Sequence, residues 1–513
     1  MKARALATGE ANNSKASSPT TFGNIYLDAL LWLTPTNPFG STRSTTIDFS
    51  FGSGGEYKLV DPESTVDLLD AKEWNSALGP ESSVTLLNGD VIAIPNGWTG
   101  EQAATYVALK TWANVANISL RYTPDTLNAD FKFLVTNEEG MQKFWSGETG
   151  VLGFAELPND YGPNYGLPAS EGYAEDGAGY AVFNQDGLGW TETGLMPGGF
   201  GYVTILHEIG HLFGLDHPWD EGGFYVNNDS SGAPEPYFPG ATGTFKTGVN
   251  GLNQGVFTTM TYNDGWSGQP SKSLDWGYQM GPGAFDIAAI QKLYGANKSY
   301  HSGSDTYTLP GANVSGTGWF TLWDAGGTDT IQVPTDAGSA TIDLRAATLK
   351  EGDAGAGGYV SWVSGVAGGF TIAKDVVIEN AIGGTGNDTI TGNAAKNLIT
   401  GGGGQDRLTG GGESDTFVFL SLTDSVAGAK RDVITDFKSG LDIIDLHVID
   451  ADVMEVGEQD FIWIGGDSFH GEAGELRFSR GVLAADANGD SKADFEIALI
   501  GVNGLVTHDL LLA

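Results

Sequence analysis

Apolar residues recur at three spacings along the chain, and each spacing predicts a different element. Alternation with a period of two marks half-buried strands. It runs through Thr45–Gly52 (TTIDFSFG), through SLRY and through Asp130–Val135 (DFKFLV). Val151–Asp160 (VLGFAELPND) and Gly179–Asn184 (GYAVFN) read as further strands. A period near 3.6 marks helices. One helix has Thr99 as N-cap, Glu101 in its first turn, and Ala104, Val107, Ala108, Trp112 and Val115 on its apolar face. A second starts near Gly201 and repeats Val203, Leu206, Ile209, Gly210 and Phe213. A third carries Phe285, Ile287, Ala288, Ile290, Gln291, Leu293 and Tyr294 and ends at Gly295. Gly23–Pro35 is apolar and is expected to pack on the same domain. Past Asn297 the pattern changes to short strand runs between Gly, Asp and Asn. Between Ile382 and Val418 its period is nine: GGTGNDTIT (Gly383–Thr391), GNAAKNLIT (Gly392–Thr400), GGGGQDRLT (Gly401–Thr409) and GGGESDTFV (Gly410–Val418). A Gly/Asp loop that turns and a three-residue strand that buries Ile390, Ile399, Leu408 or Phe417 would wind into a parallel β-roll. The fold class expected is α+β, a twisted mixed sheet with helices followed by an all-β domain of parallel β-roll and β-sandwich. The expected divisions are a disordered lead over 1–21, a first domain over 22–297 and a second over 298–513.

Composition narrows the partners. With 513 residues the chain is long enough for two or more domains with separate cores. It carries 64 acidic against 25 basic residues, a net charge of -39, which argues against nucleic acid or an anionic membrane as a partner. Carboxylates in such excess suit bound cations, and Ca²⁺ matches oxygen-rich loops. Cysteine is absent, so a secreted chain would need another staple, which calcium can supply. A cytosolic chain that happens to lack cysteine fits the composition equally. No stretch reaches the roughly 18 apolar residues of a membrane span. The N-terminus, MKARALATGEANNSKASSPTT, lacks the continuous apolar core of a Sec signal.

In the nonapeptide repeats the first and third loops should stack, offering Asp388 and Asp406, and the second and fourth should offer Asn397 and Asp415. Gly384, Gly386, Gly402, Gly404 and Gly411 complete these loops, where glycine allows backbone carbonyls to approach an ion closely. The second copy is degenerate, with Asn393 and Ala395 for glycine and Asn397 for aspartate, so its calcium site should be weaker.

The chemistry concentrates in HEIGHLFGLDHP, His207–Pro218. His207 and His211, four apart, share one face of a helix. Gly214 can end that helix and turn the chain, so that His217 swings back toward them. Three neutral imidazoles make a tripod for Zn²⁺ with a fourth position open, and Glu208 lies beside that position. A His-x-x-x-His pair alone is often structural. Here the chain has seven histidines and three of them fall in this string, which makes the metal reading much the stronger.

The full string resembles the zinc signature of the metzincin metalloproteases. Pro218, directly after the third histidine, is similar to the serralysin branch, the secreted calcium-dependent bacterial proteases. TTMTYND (Thr258–Asp264), GAFDIAAIQKLYGAN (Gly283–Asn297), the nonapeptide (RTX) repeats, DVITDFKSGLDIIDL (Asp432–Leu446) and the final segment resemble the same family. The resemblance implies that Met260 packs under the imidazoles and that Tyr262 is a further zinc ligand that can swing to stabilise the tetrahedral intermediate. It implies that Gly153–Leu157, with Gly153, Phe154 and Ala155 among its residues, is an edge strand that pairs with substrate. Asp305, Asp324, Gly326 and Asp329 resemble the first calcium site of the family's C-terminal domain, although an arginine common ahead of it is absent. Glu379 is another candidate calcium ligand. Asp509 followed by Leu510, Leu511 and Leu512 resembles the uncleaved signal of type I secretion.

The expected activity is therefore a secreted zinc metalloendopeptidase, a monomer acting on proteins, with Glu208 as general base. Its expected cofactors are one catalytic Zn²⁺ and several structural Ca²⁺, and its further partners are a type I secretion apparatus and, where one exists, a proteinaceous inhibitor. The span between His217 and Met260 is long; it could shape the primed side of the cleft or hold another ion through Asp220, Glu221 or Asp229. DANGDSKADF (Asp486–Phe495) has its glycine at the wrong place for an EF-hand and reads as a hairpin turn. Two rivals are an adhesin carrying an inactive metzincin domain, whose mark would be a broken zinc string, and a metzincin that processes a single partner.

Overall fold

The computed structural model describes residues 23–30, 46–52, 54–60, 66–75, 82–126, 128–144, 148–156, 178–219 and 237–513. The chain forms two compact units. The first comprises Met1–Tyr300, Asn313–Ala325 and Ala347–Gly358; the second comprises His301–Ala312, Gly326–Ala346 and Tyr359–Ala513.

Among the described residues, five α-helices shape the first unit: α1 (Ile25–Ala29), α2 (Gly100–Val115), α3 (Glu138–Phe144), α4 (Phe200–Leu212) and α5 (Ala284–Tyr294). Its main sheet runs in the order Ser119–Tyr122, Thr46–Phe51, Phe131–Thr136, Gly179–Asn184, Gly153–Glu156. The first four strands are parallel, and Gly153–Glu156 closes one edge antiparallel, with Phe154 opposite Val182 and Ala155 opposite Ala181. Phe131–Thr136 alternates in sequence but is buried at every position, Lys132 included. A central parallel strand is covered on both faces, so the alternation does not reach the solvent.

Local sequence accounts for the helix ends. Thr99 and Gln102 form a reciprocal capping box on α2. Trp112 of α2 donates its indole N–H to the Leu206 carbonyl of α4 over 3.1 Å, which locks the two helices together. All of α4 is buried. It ends in a Schellman turn: Gly214, at φ 96°, donates to His211 O, and Leu215 donates to Gly210 O. At α1 the Asn24 side chain caps the first turn, and the Leu30 carbonyl just past the helix accepts the Asp216 N–H over 3.0 Å. That bond anchors the segment leading into His217. The remainder of the apolar stretch expected up to Pro35 lies outside the described residues, as does the lead over 1–21.

Within the second unit, strands alternate between two sheets. Thr389–Thr391 pairs in parallel with Arg407–Thr409, and Leu398–Thr400 with Thr416–Val418, so each pairing joins copies two repeats apart. The central residue of each strand, Ile390, Ile399, Leu408 or Phe417, is fully buried. Beyond the repeats the winding continues through Asp432–Ile434 and Ile443–Asp445, and Val482–Asp486 turns back antiparallel to Phe495–Leu499. The architecture is thus α+β, with a mixed sheet and helices first and a parallel β-rich unit after it. Among the described residues, no helix is long and apolar enough to cross a membrane.

Candidate metal centre

His207 and His211 project from one face of α4, and the Schellman turn returns His217 to them. His207 Nε2 lies 3.1 Å from both His211 Nε2 and His217 Nε2, and all three rings are buried. His207 Nδ1 is 2.9 Å from the Thr259 carbonyl, and His211 Nδ1 is 2.7 Å from the Leu215 carbonyl. A carbonyl only accepts, so Nδ1 carries the proton and Nε2 presents a lone pair. Burial, with His217 nearby, pushes the His207 imidazole down to about 3, and burial holds His211 well below its usual range. The imidazoles of His207 and His211 are therefore neutral. The Nε2 lone pairs of His207 and His211, facing one another at 3.1 Å, repel unless a cation lies between them. A tetrahedral metal with N bonds of about 2.0–2.1 Å needs nitrogens about 3.3 Å apart, close to the spacing here.

Glu208 supports the same conclusion. Both of its carboxylate oxygens are buried and accept no hydrogen bond from any described residue. Burial alone raises its pKa well above the usual carboxylate range. An orphaned carboxylate is costly in a folded core unless a positive charge or a reacting group faces it. Gly153 of the edge strand runs alongside, since a Cβ at that position would lie 3.1 Å from Glu208 Cγ. Phe154 and Ala155 follow along the same strand, both fully buried; Leu157 lies outside the described residues.

Beneath α4, Met260 Sδ would sit 2.4 Å from a Cβ on Gly210, so only glycine lets the thioether pack there. Tyr262 stands over the histidines, its ring centroid 5.5 Å from that of His207 and 4.9 Å from that of His217. Asp286, the third residue of α5, reaches back to this loop. Its carboxylate accepts from the Thr258 hydroxyl at 2.6 Å, the Thr259 N–H at 2.5 Å and the Gly283 N–H at 2.8 Å. Because the Thr259 carbonyl holds His207 Nδ1, Asp286 orients a candidate ligand through one intervening residue. Sequence reading singles out neither Asp286 nor Trp219, which stacks on His217. Acidity in the first turn of α5 is visible in the sequence, but its link to Thr259 is made only by the fold. Asp220, Glu221 and Asp229 lie outside the described residues.

In the second unit the repeat carboxylates form a ladder, each accepting the backbone N–H of the carboxylate or amide residue two strands earlier. Asp388 N–H donates to Asp406 Oδ1 at 2.8 Å, and Asn397 N–H donates to Asp415 Oδ1 at 2.9 Å. The ladder continues to Asp432 and Asp442, which accept from Asp406 and Asp415 at 2.7 and 3.1 Å. Sequence reading stops short of these two because the step lengthens from 18 residues to 26 and 27. The second carboxylate oxygens of Asp406, Asp415 and Asp432 are buried and have no partner among the described residues. Burial together with neighbouring carboxylates pushes Asp406 up to about 8, Asp432 to about 7 and Asp415 to about 6. Loops that stack this closely require glycine. A Cβ on Gly402 would meet Gly384 O at 2.1 Å, and one on Gly404 would meet Gly386 O at 2.1 Å. Gly411 adopts φ 102° in the fourth loop. Asn397 spends its amide on the Glu379 carbonyl at 2.9 Å. Nearer the start of the unit, Asp305 N–H donates to Asp329 Oδ1, and Asp329 N–H to Glu379 Oε2, each at 2.8 Å. Gly326 holds φ 127°. Asp324, on the first unit's Asn313–Ala325 segment, is buried.

Comparison with known proteins agrees with this chemistry. A family model described as "Peptidase M10 serralysin C terminal" matches residues 285–512. The metallopeptidase AprA of Pseudomonas marginalis is 32% identical over 479 residues, which cover 87% of this chain and 87% of that protein. The metalloprotease AprA of Pseudomonas entomophila is 30% identical over 509 residues, 91% of this chain and 94% of that protein. Serralysin of Photorhabdus luminescens is 31% identical over 427 residues, 78% and 77% of the two chains. The chain belongs to the serralysin family of metalloproteases. It is a protein-cleaving enzyme that depends on a metal.

Proposed function

We propose that the protein is a secreted, monomeric zinc endopeptidase whose second unit is folded and stabilised by calcium. The observation that carries the catalytic part is the meeting of three buried Nε2 atoms beside a Glu208 carboxylate that has no partner among the described residues. His207, His211 and His217 would hold Zn²⁺, with Tyr262 as a further ligand. When bound there, zinc would supply a Lewis acid that polarises the scissile carbonyl and brings the pKa of water to about 7. Glu208 takes the proton of the attacking water at a carboxylate oxygen and hands it to the leaving amine. The Tyr262 phenol swings aside for the substrate and donates to the developing oxyanion. Gly153–Glu156, the last strand of the sheet among the described residues, would take an extended peptide as a further strand beside Glu208.

Calcium would sit on the carboxylate ladder of the second unit: Asp388 with Asp406, Asn397 with Asp415, and Asp432 and Asp442 beyond them. Asp305, Gly326, Asp329 and Glu379 are the candidates near its start. Unbound, these clustered carboxylates repel one another, so binding free energy becomes folding free energy. Low calcium inside the cell would keep the repeats unfolded for export by a type I apparatus that reads the C-terminus, and external calcium would fold them. Dialysis against a zinc chelator with calcium kept present tests the catalytic reading. It should abolish hydrolysis of a quenched peptide, and stoichiometric zinc should restore it; activity that survives removal of the metal contradicts it.

A further inference from the structure

We propose that Trp219 is a positioning residue for Tyr262, holding the phenol over the histidines; this rests on the role given to Tyr262 above. The Trp219 indole lies nearly flat on the His217 imidazole, with centroids 4.7 Å apart and planes 20° apart. Tyr262 meets the indole at 4.7 Å and 61°, and meets His217 at 4.9 Å and 73°. Each ring of this trio therefore touches the other two. One of them is fixed: His217 is buried, its backbone N–H donates to Asp216 Oδ1 at 2.7 Å, and Asp216 is itself tied to Leu30 O.

The main chain around Tyr262 is pinned on both sides. Thr261 Oγ1 accepts from Asn263 N–H at 3.0 Å, the Asn263 amide donates to Asn253 O at 3.0 Å, and Gly255 N–H donates to Asn263 O at 2.8 Å. What freedom remains lies in the side-chain torsions of Tyr262. Edge-to-face aromatic contact favours the orientation in which the phenol stays against the indole. Removing the indole leaves the backbone in place but lets the ring populate other rotamers, so a smaller fraction is competent. A contact of this class corresponds to roughly a three- to tenfold loss of that fraction.

The test uses the full chain with calcium present, as wild type, Trp219→Ala, Trp219→Phe, Tyr262→Phe and the double variant Trp219→Ala/Tyr262→Phe. Each is assayed for kcat and KM on a quenched peptide and for zinc Kd by chelator competition. Trp219→Ala should lower kcat and weaken zinc by roughly three- to tenfold with KM little changed. Trp219→Phe, which keeps a ring on His217 and guards against misfolding, should recover most of both. In the Tyr262→Phe background, Trp219→Ala should add nothing. An equal loss in both backgrounds, or a change confined to KM, overturns the role of Trp219 alone. Wild-type kcat and zinc Kd in Tyr262→Phe overturn the role of Tyr262 and the proposal with it.

Discussion

The backbone of Gly153 runs directly against the side chain of Glu208. A Cβ built on Gly153 would stand 3.1 Å from Glu208 Cγ, 3.4 Å from its Oε1 and 3.2 Å from Val182 O. The edge strand thus confines the carboxylate from one side while α4 holds it from the other. Gly153→Ala would displace the Glu208 side chain by a few tenths of an ångström. Since reacting groups are sensitive to small misplacement, kcat/KM should fall about tenfold. Zinc content should stay unchanged, because the histidines are untouched. Parallel metal analysis and peptide hydrolysis check both halves of this expectation.

Gly210 and Met260 form a second close pair. A Cβ on Gly210 would meet Met260 Sδ at 2.4 Å and Trp112 Cζ2 at 3.0 Å. Gly210→Ala should therefore destabilise the first unit by about 1–3 kcal/mol, the usual cost of overpacking. Adding Met260→Ala should recover part of the loss if the thioether is the obstacle. Thermal unfolding with calcium present reads this directly.

Asp286 carries a pH dependence of definite sign. Burial raises its carboxyl to about 6, despite the hydrogen bonds from Thr258, Thr259 and Gly283 that oppose the shift. The folded state then binds the proton more tightly than the unfolded state, where the value is 3.8. Its contribution is complete below about pH 4 and is lost as pH rises toward 6. Asp286→Asn should remove that slope. The stability difference between wild type and variant should change by about 3 kcal/mol across this window, compared in protein stripped of zinc with calcium kept. Parallel stability curves for the two proteins would contradict it. Because the Thr259 carbonyl orients His207, the variant should also bind zinc about 10- to 100-fold more weakly.

If calcium binds the carboxylate ladder as proposed, its sites should be unequal. Asp406 presents a buried carboxylate oxygen without a partner among the described residues, whereas Asn397 has committed its amide to the Glu379 carbonyl. Asp406→Ala should raise the calcium midpoint for folding of the second unit much more than Asn397→Ala does. Far-ultraviolet circular dichroism of the full chain during a calcium titration supplies the comparison. Equal midpoints would sink the assignment.

Much of this architecture is legible in the sequence where a short-range rule fixes it. The nine-residue period sets the parallel pairing and the burial of Ile390, Ile399, Leu408 and Phe417. Helical spacing and Gly214 bring the three histidines together. Relations between distant segments are not legible. Nothing local says that Asp286 holds Thr259, 27 residues away, or that Trp219 packs against both His217 and Tyr262. Asp432 and Asp442 escape the repeat pattern because the loops before them lengthen, although the ladder bond is the same. Strand Phe131–Thr136 alternates like a half-exposed strand, yet its central place in the sheet buries it whole.

The most direct test of the metal centre is to measure zinc content and peptide hydrolysis on the same samples of wild type and Glu208→Ala. One zinc per chain in both proteins, with turnover in the wild type alone, is the predicted result. Substoichiometric zinc in the wild type, or turnover retained by the variant, would contradict it.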